Sequence, residues 1–261
     1  MATIVVTLHL GATAYGNLAI PGNLVDTFEV SVGGTAEGSV VVINPNDAPL
    51  TVRVDVLDRI PGDRDIYVAG GTIDASAAAM VIPETYEFVL GPEEQRAVTY
   101  QVLVPSDATP AMSYWASLMF TPVTLNQPES GIRTRTRIAQ SVIVHVDNPE
   151  PSRVVFGDVR RAERRGGADD GTTTLEATVQ LDGARLHEVN SRTQVFRRDT
   201  GEEVFASTPR FNRLYPGFET TVAFPLGRLE AGPYEALLIV ETGQGDVHAV
   251  RIDLDVGPTT P

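Results

Sequence analysis

Strict alternation of apolar and polar residues, repeated from end to end, most constrains what this chain can become. It is plain in LTVRVDVLD (50–58), VTYQVLV (98–104), SVIVHVD (141–147), TTTLEATVQL (172–181) and VRIDLDV (250–256). A period of two puts one side of a strand on a core and the other in water. The runs are filled with Val, Ile, Thr and aromatics, as strands prefer. Between them lie NPNDAP (44–49), PSDATP (105–110), DG (182–183), DTG (199–201) and AGP (231–233). In such stretches Gly supplies positive φ, Pro fixes φ, and Asn or Asp bonds its own backbone. Short strands with regular turns predict an all-β sandwich or barrel. The alanine-rich ASAAAM (75–80) is the best helical candidate, and the following Ile82-Pro83 limits it to one turn.

Two stretches echo each other. LGPEEQRAVTYQV (90–102) and LYPGFETTVAFPL (214–226) each run Leu, any residue, Pro, five residues, then apolar-x-aromatic-x-apolar. The triplets are Val98, Tyr100, Val102 and Val222, Phe224, Leu226. Downstream, Tyr114-x-Ala116-x-Leu118 is matched by Tyr234-x-Ala236-x-Leu238. Between the copies lies DNPEPSR (147–153), which has two prolines, charge and no apolar residue, as interdomain linkers do. The expected organisation is two tandem immunoglobulin-like β-sandwiches, residues 1–148 and 153–257, joined by the linker 147–153. The paired tyrosines suit tyrosine corners, whose hydroxyls bond backbone upstream.

The 261 residues suffice for two such domains. Cysteine is absent, which removes disulfides, thiolate zinc sites and cysteine nucleophiles. A net charge of −14 disfavours nucleic acid and anionic membranes as partners. No apolar run reaches membrane-spanning length, so no membrane insertion is expected. All twenty basic residues are Arg. The ordinary source of that bias is a GC-rich genome or a thermophile. The start, MATIVVTLHL, lacks the basic segment of a secretory leader. The expectation is a cytoplasmic chain or one whose leader precedes this numbering.

No nucleophile elbow, phosphate-binding loop or dinucleotide fingerprint is present, and His9, His145, His187 and His248 show no metal-ligand spacing. The expectation is no enzyme, no metal and no cofactor. Arg133, Arg135 and Arg137 alternate, so a strand would place all three on one face. They suit a carboxylate-bearing partner, pairing with neighbouring acids, or protection of an edge strand. RRAERRGGADDGT (160–172) reads as an exposed hairpin loop. In TIVVTLHL (3–10), Ile4, Val6, Leu8 and Leu10 form a strand on a glycine-rich link, GATAYGNLAIPGN (11–23). That strand either folds back as the first of its own sandwich or enters the sheet of another molecule as a donor. Tyr114 and Trp115 point to opposite faces, one into a core and one outward. An outward Trp115 either packs against a neighbouring strand or meets a sugar or partner.

GSVVVINPNDAPLTVRVDVLD (38–58) and VIPETYEFVLGPEEQRAVTYQVLVPSDATPAMSYWASLMF (81–120) resemble the N-terminal domain of bacterial periplasmic pilus-assembly chaperones. The same pattern is similar, more distantly, to WxL-interacting surface proteins. The resemblance covers about residues 25–147. It implies a non-catalytic, periplasmic or extracellular protein that binds other surface or pilus chains by strand pairing. It also points to Val142, Val144 and Val146, which alternate as a subunit-binding strand would, and equally as any edge or core strand of a sandwich would. The chaperones hold a subunit's terminal carboxylate with an early Arg and a Lys. Here the first basic residue is Arg53 and Lys is missing, so that anchor passes to no residue. The alternatives are a filament or surface-layer subunit that self-associates by donor-strand exchange, and a cell-wall or glycan-binding module.

Overall fold

The computed structural model describes residues 18–62, 64–123, 136–162, 173–243 and 245–257. Among them are seventeen strands and no helix. None of these residues forms a helix able to cross a membrane. The alanine-rich 75–80 stretch is turn, as Pro83 leads one to expect.

The first set comprises β1 (Val25–Val30), β2 (Thr35–Ile43), β3 (Leu50–Ile60), β4 (Ile66–Ala69), β5 (Val81–Pro83), β6 (Glu87–Leu90), β7 (Gln95–Leu103), β8 (Met112–Val123) and β9 (Ile138–Val146). One sheet runs β1-β9-β8-β3-β4, with β6 also on β3, and the facing sheet runs β2-β7-β5. Two segments change sheets. Ala19 bridges Ile43 of β2, then β1 joins β9 in parallel. Likewise β5 pairs with β7, and a few residues later β6 pairs with β3.

The second set comprises β10 (Arg153–Arg161), β11 (Thr173–Asp182), β12 (His187–Arg197), β13 (Glu203–Ala206), β14 (Arg210–Leu214), β15 (Thr220–Gly227), β16 (Gly232–Thr242) and β17 (Val247–Val256). Its sheets are β10-β11-β15 and β13-β12-β16-β17, with β14 also on β12. No sheet mixes the two sets, so the chain is two immunoglobulin-like sandwiches in series.

The alternating residues do what their period dictates. Val98, Tyr100 and Val102 face Tyr114, Ala116, Leu118 and Phe120 across the first core. Val222, Phe224 and Leu226 face Tyr234, Ala236 and Leu238 across the second. The echoed stretches are therefore the same pair of strands in each sandwich. Each pair ends in a tyrosine corner: the Tyr114 hydroxyl donates to the Thr109 carbonyl (3.2 Å), and that of Tyr234 donates to the Glu230 carbonyl (3.1 Å).

Val142, Val144 and Val146 require a correction. All three are fully buried in the first core. Their backbone is bonded to β8 on one side and to β1 on the other. They therefore offer a partner neither side chain nor edge.

A third cluster lies between the sandwiches. Trp115, Ile143, Leu186 and Tyr215 are buried together, with Phe218, Val25, Ile73 and Ala75 packed against them. The connecting segment between β9 and β10 is pinned rather than free. Asp147 and Asn148 take left-handed backbone (φ 51 and 48), and Pro149 and Ser152 are buried. Ser152 packs so tightly on Gly183 that a Cβ there would lie 2.5 Å from its Oγ. Glycine is also required at 183 by its φ of +141.

Candidate functional site

The outward face of β8 organises the site. Ser113, Trp115, Ser117, Met119 and Thr121 are all buried, although they point away from the first core. The second sandwich covers the part around Trp115. Its indole stacks edge-on against Tyr215 (4.9 Å between centroids) and Phe218 (5.9 Å), and its Nε1–H donates to the Arg59 carbonyl (2.9 Å). Of the Tyr114–Trp115 pair, then, both are buried, on opposite sides of one strand. With 1% exposure, Trp115 presents no ring to a sugar, so it lends nothing to a glycan-binding role.

Arg59 spans the joint. Its Nη1 donates to the Tyr215 hydroxyl (2.6 Å), its Nη2 pairs with Asp65 (2.8 Å), and its Cζ lies 5.2 Å from the Tyr215 centroid. Beside it opens a cleft of about 640 Å³ between the sandwiches, lined by Arg59, Pro61, Asp65, Phe211, Arg213 and Tyr215 among others. Arg213 pairs with Glu188 (2.6 Å) and lies over the exposed Phe211 ring. Both arginines have a carboxylate partner, so the cleft is polar with its charges matched. Tyr67 on β4 has its pKa raised mainly by burial, with the Arg59 charge opposing.

On the linker side the loop between β11 and β12 docks on the first sandwich. Ser113 N–H donates to the Ala184 carbonyl (3.0 Å), and Leu186 N–H donates to Ser113 Oγ (2.9 Å). Arg185 pairs with Glu29 (2.7 Å) and donates to Asn148 Oδ1 and the Pro149 carbonyl. Two histidines are buried here. Ser113 Oγ is 2.6 Å from His145 Nδ1, and Ser152 N–H donates to His187 Nε2 (2.9 Å). Burial, then the Arg185 charge, holds His145 down to about 4, with Glu29 opposing. The same two causes lower His187, against Asp246. Ser113 and His145 form a hydroxyl–imidazole pair, but Ser113 is wholly buried at the joint, where no substrate reaches it. No three metal-ligating side chains gather among the described residues.

The open edges complete the site. β1 covers β9 only from Ser141 to Val146, with Ser141 N–H donating to the Leu24 carbonyl. β9 begins at Ile138, so Ile138, Ala139 and Gln140 pair with β8 on one side alone among the described residues. N–H groups alternate along a strand. Since that of Ser141 faces β1, that of Ala139 points off the same edge, where no described strand pairs with it. Arg137 stands exposed at its start.

Of the residues singled out in sequence, Arg133 and Arg135 lie outside the described residues, as do Ile4, Val6, Leu8 and Leu10. Most of the 160–172 loop does too, though the strands on either side of it pair as a hairpin. The joint residues Arg59, Ser113, His187 and Tyr215 were not anticipated. One signal was available: MSYWASLMFTPV, the whole of β8, has no charged residue. A strand with no charge on either face suits cover on both.

No family model matches the chain, and no curated protein does. Solved structures of pilus chaperones are similar in arrangement along almost the whole length. The CsuC–CsuE chaperone–tip subunit pre-assembly complex of Acinetobacter baumannii gives a TM-score of 0.48 at 10% identity, covering 91% of this chain and 98% of that one. The Salmonella enterica SafA pilin in complex with the SafB chaperone gives 0.45 at 14%, covering 93% and 99%. The Escherichia coli chaperone DraB gives 0.44 at 12%, covering 92% and 97%. At such identities no side chain of those proteins is carried onto a position of this one.

Proposed function

We propose that this protein is a non-catalytic, extracytoplasmic, chaperone-like binding protein that takes a strand of another protein chain onto the open edge of its first sandwich. The observation that carries this reading is the uncovered start of β9. There β1 has not yet joined β9, and among the described residues the outward N–H and C=O of Ala139 have no strand beside them, while those of Ile138 and of the buried Gln140 face β8. An unpaired edge is a template for strand addition, with main-chain hydrogen bonds supplying affinity and alternate side chains supplying register. Arg137 at the mouth of that edge suits a partner with carboxylates in a chain whose own net charge is −14. The sequence pattern of residues 81–120 points to the same class, and the extracytoplasmic location rests on that resemblance. The partner is thus a protein chain rather than a nucleic acid or a bilayer.

The test is site-specific photo-crosslinking in the native host, with the photoreactive residue at Ala139 and, as control, at Arg53, which is exposed on β3 with β8 on one side and β6 on the other. An adduct with another exported β-protein at 139, lost on Ala139→Pro, supports the reading. Adducts with further copies of this chain put the filament reading in its place. No adduct at 139, or equal adducts at both positions, removes strand addition at this edge.

A further inference from the structure

The joint between the sandwiches contains two buried imidazoles whose hydrogen bonds favour the uncharged ring. At His187 the constraint is direct. Nε2 accepts the Ser152 N–H at 2.9 Å, and a backbone N–H cannot be turned around. A proton on Nε2 would set two donors against each other. At His145 the constraint is relayed. Ser113 Oγ accepts the Leu186 N–H at 2.9 Å and lies 2.6 Å from His145 Nδ1, so with Nδ1 unprotonated the hydroxyl proton has its acceptor there. Protonating Nδ1 forces the hydroxyl to accept twice and strands its proton inside the joint. Both rings are 4% exposed, so water cannot rescue either one. The two rings flank the joint: Ser113, which His145 holds within the first sandwich, takes the Leu186 N–H of the second, and His187 of the second holds Ser152 of the connection.

We propose that the joint is an acid-sensitive hinge: protonation of His145 and His187 undocks the loop between β11 and β12 and frees the two sandwiches to change their relative orientation while each stays folded. The hinge is separable because the cores are separable. The joint has its own apolar cluster, Trp115, Ile143, Leu186 and Tyr215, distinct from the cores on either side.

The charged groups around the rings set the direction. His145 faces Arg185 and His187, which oppose its protonation, and Glu29 and Glu188, which favour it. His187 faces Arg185 and His248, which oppose, and Asp246, which favours. Burial and Arg185 dominate at both, so each ring binds a proton more weakly docked than undocked. Docking is therefore at full strength above the ordinary histidine range and is lost as pH falls through it. For His145 the window runs from about 6.5 down to about 4. The docking constant falls in that window by up to about tenfold per pH unit for each ring that takes up a proton. His187 acts in the same sense. The hinge does not depend on the proposed function and holds for any role of the two sandwiches.

Trp115 is the only tryptophan of the chain and sits in the joint, so its emission reads the hinge directly. The experiment is a titration of the full chain from pH 7.5 to 4.5. Trp emission, small-angle scattering, far-ultraviolet circular dichroism and the histidine C2–H resonances are followed together. The expected result is a red shift and a larger radius of gyration with unchanged circular dichroism. The shift should follow the imidazole titrations. The variant His145→Asn with His187→Gln keeps an acceptor at each position and removes the charge; its emission should stay constant to pH 4.5. If that pair does not fold, each single substitution should remove part of the shift. Wild-type emission and radius unchanged at pH 4.5 overturn the hinge. So does a shift that persists in the variants, which assigns it to carboxylates such as Glu29, or a loss of circular dichroism in step with emission, which is global unfolding.

Discussion

Tyr215→Ala is the sharpest probe of how the two sandwiches are held. Tyr215 is 2% exposed and lies outside both main cores, so its removal weakens the joint more than either sandwich. Deleting a buried aromatic ring costs about 3–5 kcal/mol in transfer and cavity terms. Within that figure falls the edge-on contact with Trp115, worth about 1 kcal/mol beyond area. The Arg59 Nη1 also loses its acceptor at 2.6 Å, though Nη2 keeps Asp65. A joint weakened by about 4 kcal/mol is opened about a thousandfold more often. In urea, Trp115 emission should then change before far-ultraviolet circular dichroism, by a wider interval than in the wild type. Tyr215→Phe keeps the ring and loses only the hydroxyl bond to a charged donor, a cost of about 2 kcal/mol. Its transitions should separate less. If Tyr215→Ala leaves the two probes coincident and costs under about 1 kcal/mol, the aromatic cluster does not hold the joint.

Two further substitutions test the first sandwich. Gly38 lies opposite Tyr100 in the β2–β7 ladder, and a Cβ at 38 would fall 2.2 Å from the ring. The ring is fixed by a short hydrogen bond from its hydroxyl to Asp26, so it cannot swing away. Gly38→Ala should therefore cost about 3 kcal/mol by overpacking, read as a lower urea midpoint at unchanged slope; a neutral result means the sheet yields. Asp58, wholly buried, accepts from Thr72 N–H (2.6 Å), Ile73 N–H (3.1 Å) and Ser76 Oγ (2.5 Å). Asp58→Ala orphans all three donors and should cost about 3 kcal/mol or more and expose the 70–78 turn to protease; wild-type cleavage rates would show that the turn is held by other contacts.

Much of the architecture is legible in the chain because it is written locally. Alternation names the strands, Gly, Pro and Asn name the turns, and the echoed Leu-x-Pro and Tyr-x-Ala-x-Leu stretches mark the same two strands in each sandwich. The tyrosine corners were legible too, since the hydroxyls of Tyr114 and Tyr234 find carbonyls only a few residues upstream. Val142, Val144 and Val146 show where alternation stops informing. It says that three residues share a face, and it is silent on whether that face is a core or a contact surface.

The candidate site belongs to that silent part. Arg59, Ser113, Trp115, His145, His187 and Tyr215 come from separate strands and loops of both sandwiches, with no spacing that links them. Sequence by itself determined the secondary structure and the two-sandwich architecture, because backbone propensity and side-chain period act over a few residues. Only the tertiary structure decided which outward faces are covered, where β1 stops along β9, and that two histidines 42 positions apart share one dry joint. Those outcomes depend on how one sheet sits against another. That packing is settled by shape and desolvation summed over residues distant in the chain, and no local pattern encodes it.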